Sequence, residues 1–294
     1  MAQGDLADTF VKILFMERIL LAINSQNMDE NAIDFACFLA RLTHSRLTGI
    51  FLEKLVLEEE IIIHQSGDGP EMESYTLREV AETIEEQKVT VENILRFKEI
   101  ATSQGIQFFV HLDKGVPATE IIAESRFADI LIVDAGTSFS RVEEGPPTPF
   151  VKDILQDAGC PVIISPESFN GIDNIVFYYD GSKSSIFAMK QFTYLFPELR
   201  NNRAKIIYLN KAKESWKEEQ DAVREWLEYH FSDVEFISLE GDAMGVFFNY
   251  LLKKKNDFVV MGTYGKGLLD SFFGNGAEKE STGTTSLPIF IAHY

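Results

Sequence analysis

The chain has 294 residues, enough for two domains that each bury a core, and it is 45% apolar and 25% charged, as globular proteins are. A formal charge of −19 argues against partners rich in phosphate, so neither nucleic acid nor an anionic membrane is expected. Cys37 falls in a helical pattern and Cys160 precedes Pro161, so these two cysteines supply neither a disulfide framework nor a structural zinc site.

Residues 1–15 stand apart from the rest of the chain, and Met16 is expected to be an alternative start, with those residues an upstream extension or a short docking helix. Lys12, Glu17 and Arg18 break the apolar start, and no apolar run reaches membrane-spanning length, which predicts a cytoplasmic protein.

The first half alternates short apolar runs with helical patterns. Ile19 to Ile23 predicts a strand, Ala32, Ala36, Leu39 and Ala40 a helix face, and Thr48 to Leu52 a second strand. A polar insert at 53–76 holds the loop Ser66-Gly67-Asp68-Gly69-Pro70. Leu77 to Ser103 reads as one long helix with Val80, Ile84, Val91, Ile94 and Leu95 as its apolar face. Ile106 to Leu112, Ile130 to Val133 and Pro161 to Ile164 complete five strands, with helices at Ala118 to Ser125 and around Phe150, Ile154 and Leu155 between them.

After a linker at Ser165 to Asp173 the series repeats. Strands are predicted at Ile175 to Tyr179, Ile206 to Leu209, Val234 to Leu239, Phe258 to Met261 and Ile289 to Ile291. Helices are predicted on the Ala188, Phe192 and Leu195 face and at Ala222 to Tyr229. Val133 and Val260 lie 127 positions apart, as do Pro161 and Pro288, whereas Asn24 and Asp180 lie 156 apart because of the insert. This is a tandem duplication, with domains expected at 16–166 and 173–294. The fold class is α/β, two tandem doubly wound five-stranded parallel sheets. Proline at the start of each fifth strand marks an edge, and an edge must be paired or covered.

The glycines concentrate after the fourth strand of the second half, in Gly262-Thr263-Tyr264-Gly265-Lys266-Gly267 and Gly274-Asn275-Gly276. Glycine at a strand's carboxyl end lets backbone amides approach an anion closely, in the crevice where open α/β sheets bind ligands. Five scattered histidines, no Gly-x-Ser-x-Gly elbow and no Gly-x-x-x-x-Gly-Lys-Ser/Thr loop leave no catalytic residue and no metal ligands to nominate.

Tyr179-Asp180-Gly181-Ser182, Asp257 to Gly265, Gly274 to Lys279, Ala128 to Val133 and Cys160 to Ile164 together resemble the universal stress protein family in its tandem form. The resemblance runs from Met16 to Tyr294. It implies the adenine-nucleotide alpha hydrolase-like fold, a role in stress response, and ATP or AMP as ligand, with magnesium only alongside the nucleotide. It further implies that Asp180 meets the adenosine and that backbone at Leu209 meets the adenine edge. Gly262 and Gly265 would approach ribose and phosphate, and Gly274 and Asn275 the phosphates, while Gly181, Ser182, Met261 and Gly276 complete the set. Ser182 has an equal claim as a helix N-cap. The resemblance implies that the fifth strands pair antiparallel, Val162 to Ile164 against Ile289 to Ile291. A homodimer of chains is a further partner it suggests.

This sequence departs from the family pattern in two places, with eight residues rather than about nine between Gly265 and Gly274, and Asn275 where a hydroxyl is expected. In the first half Asn24 replaces the strand-one aspartate, and Glu143-Glu144-Gly145-Pro146-Pro147 stands where phosphate-binding glycines would. Each proline removes an amide donor, so phosphate is not expected there. The chain is therefore expected to carry one nucleotide site, in the second half, and at most slow ATP hydrolysis. The alternative is a nucleotide-independent, dimerising interaction or scaffold protein whose pockets have decayed.

Overall fold

The computed structural model describes residues 16–54, 77–209, 215–239, 243–252, 254–262 and 287–292. The first half runs β1 (Arg18–Asn24), α1 (Glu30–Leu42), β2 (Arg46–Lys54), α2 (Leu77–Ser103), β3 (Phe108–Gly115), α3 (Pro117–Ser125), β4 (Ile130–Val133), α4 (Pro149–Asp157) and β5 (Val162–Ile164). The second runs β6 (Asn174–Tyr179), α5 (Lys183–Leu195), β7 (Arg203–Leu209), α6 (Ser215–His230), β8 (Val234–Leu239), α7 (Ala243–Leu251), β9 (Asp257–Gly262) and β10 (Ile289–Ala292). The helices start where the sequence offers caps: Asp29 accepts from Asn31 N before α1, and Thr148 from Val151 N before α4, where Pro149 supplies the preset φ of a first helical residue.

The ten strands form one sheet in the order β3-β2-β1-β4-β5-β10-β9-β6-β7-β8. Each half is a five-stranded parallel unit, and the two meet edge to edge. β5 and β10 pair antiparallel with Phe290 opposite Ile163, Ile289 opposite Ile164 and Ile291 opposite Val162. All six residues are buried, so the two fifth-strand edges close each other.

The sheet carries a core on each face. Ile19, Leu21, Phe51, Phe177, Phe258 and Phe290 point to the face covered by α1, α2, α5 and α6. Leu20, Val133, Ile164, Tyr178, Met261 and Ile291 point to the face covered by α3, α4 and α7. Because strand side chains alternate, these sets also fix the register between the halves. Ile19 pairs with Ile130 and Ile175 with Phe258, so Phe258 corresponds to Ile130, an offset of 128 rather than the 127 read from the sequence. With an offset of 127, Val133 and Val260 would be equivalent, yet they point to opposite faces; Met261 is the true counterpart of Val133. The corrected register aligns Asp129 with Asp257, and both serve strand starts. Asp129 Oδ2 accepts from the amides of Glu17 and Arg18 at 2.8 and 2.9 Å, and Asp257 Oδ1 accepts from Asn174 Nδ2 at 2.6 Å. The 127 offset holds for the fifth strands, where Leu131 pairs with Val162 and Val259 with Ile289.

The long helix α2 is turned differently from its predicted face. Of the predicted face Ile94 packs against the core, but Ile84, Val91 and Leu95 are 60%, 55% and 59% exposed, while Thr90, Phe97, Ile100 and Ala101 face inward. Phe97 sets the rotation. Its ring stands edge-on to Phe51 and Phe108, and it fills the space over Gly49, whose missing Cβ would lie 2.9 Å from Phe97 Cζ. The predicted third strand also moves two to three residues along the chain, from Ile106–Leu112 to Phe108–Gly115, where it pairs with β2 from Leu47 to Lys54. Among the described residues no helix is long and apolar enough to cross a membrane.

Candidate functional site

In the second half the crevice at the carboxyl ends of the strands lies between β9 and β6, where the strand order reverses. β6 ends in Tyr179, and the next three residues make a tight turn. Gly181 takes φ +79°, a left-handed conformation that costs glycine nothing. Asp180 Oδ1 accepts from Ser182 N at 2.9 Å, and Ser182 Oγ accepts from Ser185 N at 3.1 Å to cap α5. Ser185 Oγ returns a bond to Ser182 O at 2.9 Å. The first amides of a helix have no partner within the helix. Here Ser182 takes those of Ser185 and Ile186, while those of Lys183 and Ser184 make no bond among the described residues.

Gly262, the last residue of β9, lies directly under this turn. A Cβ on Gly262 would meet the carbonyl carbon of Ser184, with Ser184 O at 2.5 Å and Ser185 N at 2.6 Å. The glycine is therefore required for close helix–strand packing, whatever lies in the crevice. Met261 points its side chain the other way, 1% exposed in the core beside Tyr178 and Phe247, so only its backbone faces the crevice. Leu209 ends β7 with its backbone in register with Leu239. Gly265, Gly274, Asn275 and Gly276 lie outside the described residues. The structure thus brings Asp180, Gly181, Ser182 and Gly262 together at one strand end.

The residues behind this turn escape a reading of the sequence alone. Tyr179 is fully buried, on the side of the Glu219 carboxylate of α6; burial first, then the negative charges of Glu219 and Asp180, hold its phenol protonated far above the ordinary range. Tyr178, on the opposite face, is pushed up to about 12 by burial, with the charge of Asp180 adding to it. A strand-terminal Tyr-Tyr before Asp is the pattern that could have pointed to this buried support.

The equivalent crevice of the first half is filled by its own residues. Asn24 ends β1; its Nδ2 donates to Ser138 O at 2.6 Å, and its Oδ1 accepts from Gln26 N at 2.9 Å. The carboxamide therefore ties the end of β1 across to the loop after β4. That loop consumes its own donors. Gly136 N bonds Asp134 Oδ1, Thr137 N bonds Asp134 O, and the hydroxyls of Ser138 and Thr148 bond Glu144 Oε2 and Thr137 O. Between these groups lies a cavity of about 60 Å³ bordered by Asn24, Asn27, Asp29, Asp134 and Thr137. Ligand pockets are roughly 300–1,000 Å³. Burial raises the carboxyl of Asp134, the amide of Gly136 draws it back, and the charge of Asp29 adds to the rise. Both carboxylates oppose an anion in this cavity.

Among the described residues no cluster of histidine, cysteine, aspartate or glutamate could hold a metal ion. No family model matches the sequence, and no curated protein matches it. Solved structures do. A universal stress protein from Archaeoglobus fulgidus DSM 4304 superposes with a TM-score of 0.64 at 15% identity, covering 94% of this chain and 98% of its own. A putative universal stress protein from Pseudomonas aeruginosa UCBPP-PA14 gives 0.53 at 16% identity, covering 95% and 93%. A functionally unknown protein from Pseudomonas aeruginosa PAO1 gives 0.54 at 16%, covering 95% and 92%. The chain has the universal stress protein fold, built twice and joined through its fifth strands.

Proposed function

We propose that this is a cytoplasmic stress-response protein of the universal stress family that binds one adenine nucleotide, ATP or AMP, in its second half. The observation that carries the reading is the turn Asp180-Gly181-Ser182 at the carboxyl end of β6, set at the switch point beside the end of β9. Three features there suit a nucleotide. Asp180 spends one carboxylate oxygen on its own turn, leaving the other to accept from a ribose hydroxyl or an adenine amine. The amides of Lys183 and Ser184 point out of a helix N-terminus, where the macrodipole favours phosphate. Gly262 lets α5 sit close enough to β9 for both to border one crevice. In the first half Asn24 stands in place of the aspartate and bridges the crevice to Ser138, and the loop amides of Gly136 and Thr137 are already bonded.

What these residues do is bind and orient. Asp180 and the amides of Lys183 and Ser184 would hold the nucleotide, with magnesium only alongside it. The protein is then a sensor or switch with at most slow hydrolysis.

A second reading rests on Gly262. Because α5 packs on that glycine by itself, the crevice can persist as architecture after binding is lost, leaving a nucleotide-independent interaction protein. Calorimetric titration with ATP separates the two. Asp180→Asn keeps the acceptor for Ser182 N while removing the charge, so the nucleotide reading predicts weaker binding with an unchanged melting temperature. Identical titrations of the wild type and this variant would place any ligand elsewhere, and no heat at millimolar ATP would favour the interaction protein.

A further inference from the structure

The outer surface between α5 and α6 carries a cluster of four rings that the nucleotide reading does not use; Trp226 packs against the core from its inner side, and the others lie outside it. Trp226 and His230 pack at a tilt of 51° with centroids 4.4 Å apart, and Tyr194 stands edge-on to both at 6.3 and 6.0 Å. Tyr229 meets His230 at 5.6 Å. This cluster is not core: Tyr194 is 49% exposed and Tyr229 is 89% exposed. Clustered Tyr and Trp at a surface are the residues that dominate binding energy where proteins meet.

The charges around the rings select a partner. Glu225 precedes Tyr229 by one turn of α6, is exposed, and forms no ion pair among the described residues. Arg224 lies away from the patch, its guanidinium 4.2 Å over Phe236 and paired with Glu228. Lys190, one turn before Tyr194 on α5, marks the opposite rim. Burial among the rings holds His230 below its ordinary range, so the cluster is uncharged at neutral pH. The surface is thus a set of neutral aromatic faces bordered by the exposed carboxylate of Glu225, which has no ion-pair partner among the described residues.

We propose that this patch docks an arginine-rich segment of a protein partner, with a guanidinium stacked on Tyr229 beside Trp226 and hydrogen-bonded to Glu225. Arginine fits where lysine does not, because its planar fork stacks on a ring face and offers paired donors to a carboxylate at once. The net charge of −19 adds long-range attraction for a basic partner and raises the rate of encounter.

The probe is a hexa-arginine peptide titrated into the full chain at physiological salt. With Trp216→Phe in the background, Trp226 is the sole tryptophan and its emission reports the patch. Hexa-arginine should shift that emission and bind several-fold more tightly than hexalysine. Tyr229→Ala, at an exposed position that cannot disturb the core, should weaken binding about threefold to fivefold, and adding Glu225→Gln about tenfold in all. Glu92→Gln removes the same charge from α2, on the other half of the sheet, and should change affinity less than twofold. Equal affinity for hexalysine, an unaffected Tyr229→Ala variant, or an equal loss from Glu92→Gln would each overturn the proposal, leaving net charge as the cause.

Discussion

Gly262 and Ser184 are in backbone contact: the carbonyl of Ser184 occupies the space where a side chain on Gly262 would begin. The end of β9 and the first turn of α5 are therefore fixed relative to each other before any ligand arrives. Gly262→Ala should destabilise the chain by about 1–3 kcal/mol through overpacking, seen as a lower urea midpoint in ligand-free protein. Unaltered stability with lost ATP binding would show instead that the glycine serves the ligand alone.

The rotation of α2 gives a second expectation. Phe97→Ala should cost about 3–5 kcal/mol, because it empties the socket over Gly49 and removes two edge-on ring contacts. Ile84→Ser, on the exposed side, should stay within about 0.5 kcal/mol. Reversed magnitudes in urea unfolding would restore the face predicted from periodicity.

Much of this architecture is legible in the chain, and the misreadings have physical causes. Val133 and Ile163 announce buried strands because both faces of a parallel sheet are covered, which makes apolar runs continuous. The same continuity erases the alternation that fixes register, so periodicity matches Val260 to Val133 when Met261 is the counterpart. The face of α2 is ambiguous because its apolar residues form two stripes, and only Gly49, far away in sequence, decides that the Phe97 stripe goes inward. In the site, Asp180, Gly181 and Ser182 are legible because a turn and a cap are local chemistry. The support of Tyr179 by Glu219 and the tie from Asn24 to Ser138 span 40 and 114 positions, and no local pattern carries them.

The junction of the halves is apolar and fully buried at Phe290 and Ile163. Ile163→Asp would bury an unpaired charge there, so it should separate the halves or unfold the chain at a cost of about 4 kcal/mol or more. Solution scattering should show an expanded particle, and limited proteolysis should cut between 165 and 173. A compact, resistant variant would contradict the central role of this pair.

Two thiols and a phenol report on the core. Burial pushes both Cys37 and Cys160 up to about 12, so neither should react with a disulfide reagent at pH 8 until the chain is unfolded, when both react. The Tyr178 phenol is raised from an ordinary 10 to about 12, so the native state keeps its proton where the unfolded chain releases it. That contribution is complete below pH 10 and is lost as pH climbs toward 12. Tyr178→Phe should therefore move the alkaline unfolding midpoint upward, and an unmoved midpoint would count against burial of the hydroxyl.

The crevice of the first half is expected to be a structural remnant with a charge it does not need. Asp134→Asn keeps the acceptor for Gly136 N and removes a carboxylate that burial and Asp29 both disfavour. Because the folded state raises this carboxyl, its ionisation opposes folding above the ordinary carboxylate range, and the variant should melt higher than wild type at pH 7. A lower melting temperature would mean that the charge is used.

The claim that one nucleotide binds, and binds in the second half, is tested most directly by measuring the adenine nucleotide bound per chain at saturation, in wild type and in two glycine variants. The account predicts one ATP per chain, lost in Gly265→Asp and retained in Gly136→Asp. Two per chain, none, or loss in Gly136→Asp alone would contradict it.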